Sequence, residues 1–252
     1  MSRVIAWFSC GAASAVAAQE AIKKYGKDKV EVVYCNTLKT EHEDNERFLS
    51  DVEQWLGVKV KIISNEKYDS VDNVFEERRY LAGIAGAPCT TAMKKIPRFK
   101  FQEPDDIHVF GLTWEEKKRV CRFESNNPEL ELDWLLVDNA ITKAECHRRI
   151  AEAGIEQPVM YKLGFKNNNC IGCVKASSLA YWRKTRYYFP EVFQRRVDQS
   201  RRFGAKLTRI KGQRIFLDEI PPDPEGTFDP YEKIAENISC GPECQGERND
   251  VD

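Results

Sequence analysis

Val4-Ile5-Ala6-Trp7-Phe8-Ser9-Cys10-Gly11-Ala12-Ala13-Ser14-Ala15-Val16 stands near the start of the 252-residue chain. Five apolar residues that favour strands run into six small or polar ones, and an Ala-rich stretch then continues to Tyr25. The pattern predicts a strand at 4–8, a tight loop at 9–14 and a helix at 15–25 that stops at Gly26. A strand feeding a helix through so short a loop is the first half of a crossover unit. The loop would present helix N-terminal N–H groups to an anion. Its small residues would let a phosphate approach the backbone, with Ser9 and Ser14 adding hydroxyls. Taken alone, the same loop also reads as an ordinary tight turn.

Further along, apolar runs at 30–34, 58–63, 107–112 and 134–137 predict four more strands. Residues 46–56 place Phe48, Leu49, Val52, Trp55 and Leu56 at helical spacing and stop at Gly57. Residues 71–84 and 143–153 also read as helices. Strands alternating with helices predict an α/β fold over residues 1–155, a parallel five-stranded sheet with helices on both faces. Ligands of such sheets bind at the carboxyl ends of the strands, here 9–14, 35–37, Ser64 and 111–119. After Gly154 the character changes. Residues 158–173 are loop-like, 177–202 are helical with a break before Pro190, and 207–217 form a hairpin around Lys211-Gly212. Residues 156–252 therefore form a mainly helical, Cys-rich and basic C-terminal region packed on the first domain.

Hydrophobic residues at 42% and charged residues at 31% describe a globular chain, and the net charge of -1 favours no partner. No stretch is long and apolar enough to span a membrane, so no membrane partner is expected. The opening apolar run is broken by Ser9-Cys10-Gly11, where a secretory signal would continue, and a cytoplasmic location is expected. Nine cysteines cannot all pair within one chain. At short spacing in a cytosolic protein they point to metal binding or redox chemistry. Residues 183–214 hold eleven Lys and Arg against Glu191 and Asp198, interleaved with aromatic residues. Nucleic-acid binding uses that combination, and so does a helix with an apolar inner face and arginines outside. His42, His108 and His147 are scattered and read as structural or exposed.

Cys170-Ile171-Gly172-Cys173 is spaced so that both thiolates can reach one metal, with Gly172 permitting the turn. A thiol–disulfide pair, half a zinc site and half an iron–sulfur site all use this spacing.

With these residues in view, the chain resembles the adenine nucleotide alpha-hydrolase-like (PP-loop) family, and within it the phosphoadenosine phosphosulfate (PAPS) reductases. The loop of ATP pyrophosphatases reads Ser-Gly-Gly-x-Asp-Ser. Here Ala13 stands in place of that Asp, and the loop is closer to that of PAPS reductases. Cys35-Asn36-Thr37 is similar to the family's Asp-Thr-Gly strand end. Pro88-Cys89-Thr90 before Lys94-Lys95-Ile96-Pro97 resembles its Cys-containing segment and Lys-x-x-Pro turn. Gly111-Leu112-Thr113 with Glu116 and Arg119 resembles its Gly-Leu-Arg segment, and Cys170–Cys173 its cluster-bearing pair. The matches run in order over about residues 1–190.

The resemblance implies nucleotide contacts from Ser9, Cys10, Gly11, Ala12, Ser14, Asn36, Thr37 and Gly111, for PAPS, APS or ATP with magnesium. It implies a 4Fe-4S cluster on Cys89, Cys170 and Cys173. Cluster-bearing relatives carry adjacent cysteines where this chain has Cys89-Thr90, so Cys240 or Cys244 would supply the fourth thiolate, or one iron would stay open. Zinc on Cys170, Cys173, Cys240 and Cys244 is the competing metal. Cys244, after Glu243, partly resembles the family's C-terminal nucleophile, with Lys94 and Arg119 as catalytic cations.

Three functions are then open. The first is reduction of a sulfonucleotide with a thiol reductant such as thioredoxin. The second is ATP-dependent thiolation of a tRNA base or DNA backbone bound through residues 183–214. The third is nucleotide binding without catalysis. A homo-oligomer is compatible with each.

Overall fold

The computed structural model describes residues 2–83 and 86–223 together with Phe228, Asp229, Glu232 and Ile234. β1 (Val4–Phe8) is buried along its whole length, as a central parallel strand must be. Val4, Ala6 and Phe8 enter the core on one face of the sheet, and Ile5 and Trp7 enter the core on the other. α1 (Ala12–Tyr25) starts three residues earlier than the Ala-rich pattern suggests, because Gly11 is its N-cap, and Gly26 ends it. β2 (Val30–Cys35), α2 (Asp44–Leu56) and β3 (Val60–Ile63) follow as expected.

The next stretch departs from the sequence reading. α3 (Val71–Arg78) ends at Arg79, whose left-handed backbone stops the helix short of residue 84. Residues 88–101 are helical throughout, as α4 (Pro88–Thr90), a π-helical turn at Thr91–Lys95 and α5 (Ile96–Phe101). The widened turn lies directly before Pro97, whose missing N–H interrupts an α-helical ladder in any case.

β4 (Ile107–Phe110) pairs with β1 from Val4↔Ile107 onward. α6 (Lys117–Asn126) was not evident from periodicity, although the Thr113/Glu116 capping box before it is a sequence signal for a helix start. The expected fifth strand at 134–137 is instead a helical turn, α7 (Leu135–Asp138), and the fifth strand is the two-residue β5 (Glu131–Leu132) just upstream. Four consecutive buried apolar residues suit a buried strand and a buried turn equally well. Asp133 N–H still bonds to the His108 carbonyl at 3.0 Å, and the chain then turns at Trp134. α8 (Lys143–Glu152) is capped by Thr142, and α9 (Val159–Lys162) is one short turn in the Asn-rich loop region. α10 (Leu179–Tyr188) and α11 (Pro190–Arg202) break at Pro190 as expected, and β6 (Thr208–Ile210) and β7 (Gln213–Ile215) form the expected hairpin.

The five-stranded sheet has the order β3-β2-β1-β4-β5, with every pair parallel. The chain leaves β1 toward β2 on one side and reaches β4 on the other. The crevice between the carboxyl ends of β1 and β4 is therefore the switch point where such sheets bind ligands. A further core lies outside the sheet, where Tyr68, Val71, Phe75, Cys89 and Met93 pack with Met160, Trp182, Phe193, Val197 and Leu217. No helix among the described residues is long and apolar enough to cross a membrane.

Candidate functional site

The loop after β1 is held in one shape by its own side chains. Ser9 N–H donates to Ser14 Oγ at 3.1 Å, and Ser14 Oγ donates to the Gly11 carbonyl at 2.9 Å. Cys10 has a left-handed backbone with φ of 53°, a conformation uncommon outside glycine. Its carbonyl accepts Asn168 Nδ2 at 2.6 Å. Its thiol is fully buried, and burial, with Glu41 adding to it, pushes the thiol pKa well up, against the opposing charge of Lys94. Cys10 thus shapes the loop through its backbone, and its sulfur is a neutral thiol. Ser9, Gly11 and Ala13 keep partial exposure.

Gly111 closes the crevice from the β4 side. A Cβ on it would lie 2.6 Å from Ser14 Cα and 2.7 Å from Ser14 N, so only glycine permits this approach of β4 to the start of α1.

At the end of β2, Asn36 Nδ2 reaches Ser64 Oγ at 3.2 Å, and its backbone N–H continues the ladder to Ile63. Thr37 is buried and donates from Oγ1 to Glu41 at 2.6 Å. Tyr34 and Asn45 also donate to that carboxylate, at 2.9 and 2.7 Å. This buried Glu41 network fixes the 36–41 turn, which then meets the cysteine segment. Ile171 N–H bonds to the Thr40 carbonyl at 2.8 Å, and Thr40 Oγ1 lies 3.3 Å from Cys170 Sγ.

Cys89, Cys170 and Cys173 line one mainly apolar pocket together with Thr37, Lys94 and Arg196. Residues far apart in the chain are thereby gathered beside the strand ends. The Cys170–Cys173 turn is pinned from three directions. The Tyr181 hydroxyl accepts Cys173 N–H at 2.7 Å and donates to the Cys170 carbonyl, Arg196 Nε holds the Gly172 carbonyl at 2.9 Å, and Thr40 holds Ile171. Gly172 has φ of 64°, and a Cβ there would meet Val192 at 2.8 Å. The soft thiol donors, with Lys94 and Arg196 to balance negative charge, fit an iron–sulfur cluster or zinc in kind. Among the described residues no three His, Cys, Asp or Glu side chains stand close enough to hold an ion. Closing such a site would require the thiols to converge or a further donor to join. Cys240 and Cys244 lie outside the described residues.

Lys94 is buried on the π-helical turn and lines the thiol pocket. Arg119 is half-buried on α6 and is ion-paired with Glu116, so its charge is already partly balanced. Sequence reasoning missed Lys143. Its Nζ donates to the Lys166 carbonyl at 2.5 Å and Asn167 Oδ1 at 2.6 Å, and burial pushes its pKa down to about 8 despite nearby Glu116. No local motif marks it, because its partners come from the Asn-rich loop.

The basic run 183–214 is largely paired. Arg183 and Arg186 meet Asp223, Arg195 and Arg196 meet Asp72, Arg201 meets Asp218 and Glu219, and Arg202 meets Glu76. Tyr181, Trp182 and Phe193 are core residues rather than a stacking platform, and Lys184 is fully buried. Ile234 packs beside Cys170, Tyr181 and Met160.

Comparison of the sequence with family models and with curated proteins finds no match.

Proposed function

We propose that this protein is a PAPS reductase-like enzyme that acts on an adenine sulfonucleotide, with a cysteine-bound 4Fe-4S cluster beside the nucleotide. The observation that carries the reading is the meeting of Cys89, Cys170, Cys173 and Lys94 around one pocket, next to the strand ends that flank the 9–14 loop. Ser9 to Ser14 and Gly111 would seat the phosphosulfate, Asn36 and Thr37 would border the adenosine, and Lys94 and Arg119 would offset charge on the leaving phosphate. The cluster, when bound, would supply a soft, charged centre near the sulfonate. Ile234 supports a tail donor. It lies beside Cys170, and Cys240 is six residues further on (240 − 234), a reach of at most about 20 Å.

In the reaction, a thiolate, for which Cys244 is the candidate, attacks the sulfonate sulfur. An S–S bond forms, the S–O bond to phosphate breaks, and the nucleotide leaves with the electron pair. A dithiol reductant then releases sulfite and is itself oxidised to the disulfide. Thiolation of a nucleic acid rests on the basic run and on the incomplete cysteine set, and the carboxylate partners of the arginines remove much of the first support.

Anaerobic purification with iron and acid-labile sulfide analysis tests the proposal. The wild-type protein is expected to be brown and to contain both, and Cys89→Ala and Cys170→Ala are each expected to lose the chromophore. Zinc in place of iron, or a chromophore that survives both substitutions, would remove the cluster-dependent reading. Sulfite release from PAPS or APS with reduced thioredoxin tests the activity itself.

A further inference from the structure

Asn168 stands between the opening loop, α2 and the cysteine turn, and it is 5% exposed. Its side-chain amide gives both protons to protein acceptors. Nδ2 donates to the Cys10 carbonyl at 2.6 Å and to Asn45 Oδ1 at 2.7 Å. Asn45, itself buried, donates onward to Glu41 at 2.7 Å. Glu41 is the carboxylate that fixes the 36–41 turn, and the Thr40 carbonyl of that turn holds Ile171 N–H at 2.8 Å. The Asn168 backbone is tied to the loop as well, because the Tyr161 hydroxyl oxygen takes the N–H groups of both Ala12 and Asn168. Cys170 therefore lies between two fixed points, Asn168 on the side of the loop and Ile171 on the side of the 36–41 turn.

The direction of these bonds is set. Turning the Asn168 amide over would aim Oδ1 at the Cys10 carbonyl and at Asn45 Oδ1, oxygen against oxygen. Turning Asn45 as well would aim its oxygen at the Glu41 carboxylate. In the orientation present, Asn168 Oδ1 is buried with no partner. The site thus leaves a carbonyl unsatisfied in order to place two N–H groups, so the donors are what the position requires. One of the acceptors they hold belongs to Cys10, whose left-handed backbone costs energy that its surroundings must offset.

We propose that Asn168 is a positioning residue that sets the Cys170–Cys173 turn against the opening loop. This inference rests on the reading above, in which a nucleotide on that loop reacts beside those thiols. A misplacement of about 1 Å between reacting groups costs on the order of 100-fold in rate, and Asn168 is bonded to the loop just before the chain reaches Cys170.

Asn168→Asp keeps the shape and puts an oxygen against the Cys10 carbonyl and Asn45 Oδ1. Facing two acceptors in a buried place, the introduced carboxyl has its pKa raised, and once protonated it donates a hydrogen bond again. Asn168→Ala cannot regain a donor and is the companion variant. Amide hydrogen exchange of the full chain is read by mass spectrometry at about pH 8 and about pH 5.5, each against wild type at the same pH. At pH 8 both variants are expected to exchange the Ser9, Ile171 and Cys173 N–H groups about tenfold or more faster than wild type, with the amides of α11 unchanged. At pH 5.5 the difference is expected to shrink in Asn168→Asp and to persist in Asn168→Ala. Unchanged exchange at either the loop or the turn would overturn the proposal. Acceleration that includes α11, or that does not respond to pH in Asn168→Asp, would overturn it too, by reducing Asn168 to a general packing residue. Wild-type protein without iron and sulfide, with exchange behaving as expected, would remove the cluster and leave the positioning role standing.

Discussion

His108 lies on β4 between Trp7 and Phe110, with ring centroids 6.1 and 6.2 Å away, and its Nδ1 accepts the Trp7 indole N–H at 3.0 Å. Burial, with Arg98 adding to it, pushes the imidazole pKa down to about 4 from an ordinary 6.5. Above pH 6.5 the ring is neutral in both folded and unfolded chains, and the fold has its full stability. As pH falls from 6.5 toward 4 the unfolded chain takes up a proton that the folded one does not, so stability is lost, by about 3 kcal/mol over the whole window. His108→Gln keeps an acceptor and removes the titration. Urea unfolding at pH 7 and pH 4.5 is expected to show a drop about 2–3 kcal/mol larger in the wild type than in the variant, and equal drops would refute this account. The sequence left His108 as structural or exposed. The size of the effect was not legible there, since it comes from burial among residues distant in the chain, Trp7 among them at 101 residues away, and from the Arg98 charge.

α10 and α11 were legible down to their break at Pro190, because Pro at a helix start fixes the backbone in advance. What the pattern could not show is which charged residues turn inward. Arg196 is 2% exposed, binds the Gly172 carbonyl and Gln199, and pairs with Asp72 of α3. Burial raises the Asp72 carboxyl pKa, and the charge and hydrogen bond of Arg196 together with Gln199 and Arg195 outweigh that, so the net shift is downward. Arg196→Ala would leave that carboxylate short of its principal partner and is expected to cost about 3–5 kcal/mol in urea unfolding. Arg202→Ala, which breaks the exposed pair with Glu76, is expected to leave the urea midpoint almost unchanged. Similar losses from the two substitutions would contradict the distinction. The two misread elements have physical causes of their own. The apolar run 134–137 has no period to separate strand from turn, and in 88–101 the two prolines and the π-helical turn hide a helix from a search at 3.6 residues per turn.

For the molecule as a whole, the surface charge of residues 183–214 is offset by carboxylates brought from 72–76 and 218–223. Binding of a 20-nucleotide single strand at 150 mM salt is accordingly expected to be no tighter than about 1 μM, the range of non-specific contacts. Fluorescence anisotropy measures this, and nanomolar binding would revive the thiolation reading. The parallel sheet and the loop at its switch point were legible because crossover units announce themselves locally. The thiol pocket was not, because it gathers Thr37, Cys89, Lys94, Cys170 and Cys173 from separate stretches, and only the resemblance suggested that they meet. The core outside the sheet has one wall from Tyr68 to Met93 and the other from Met160 onward. A ribosome therefore delivers a completed sheet with an oily flank still bare, and that flank waits for Trp182, Phe193 and Leu217 to emerge. During that interval the nascent chain is a client for holding chaperones, and any gene fragment that stops near residue 155 would yield an insoluble product.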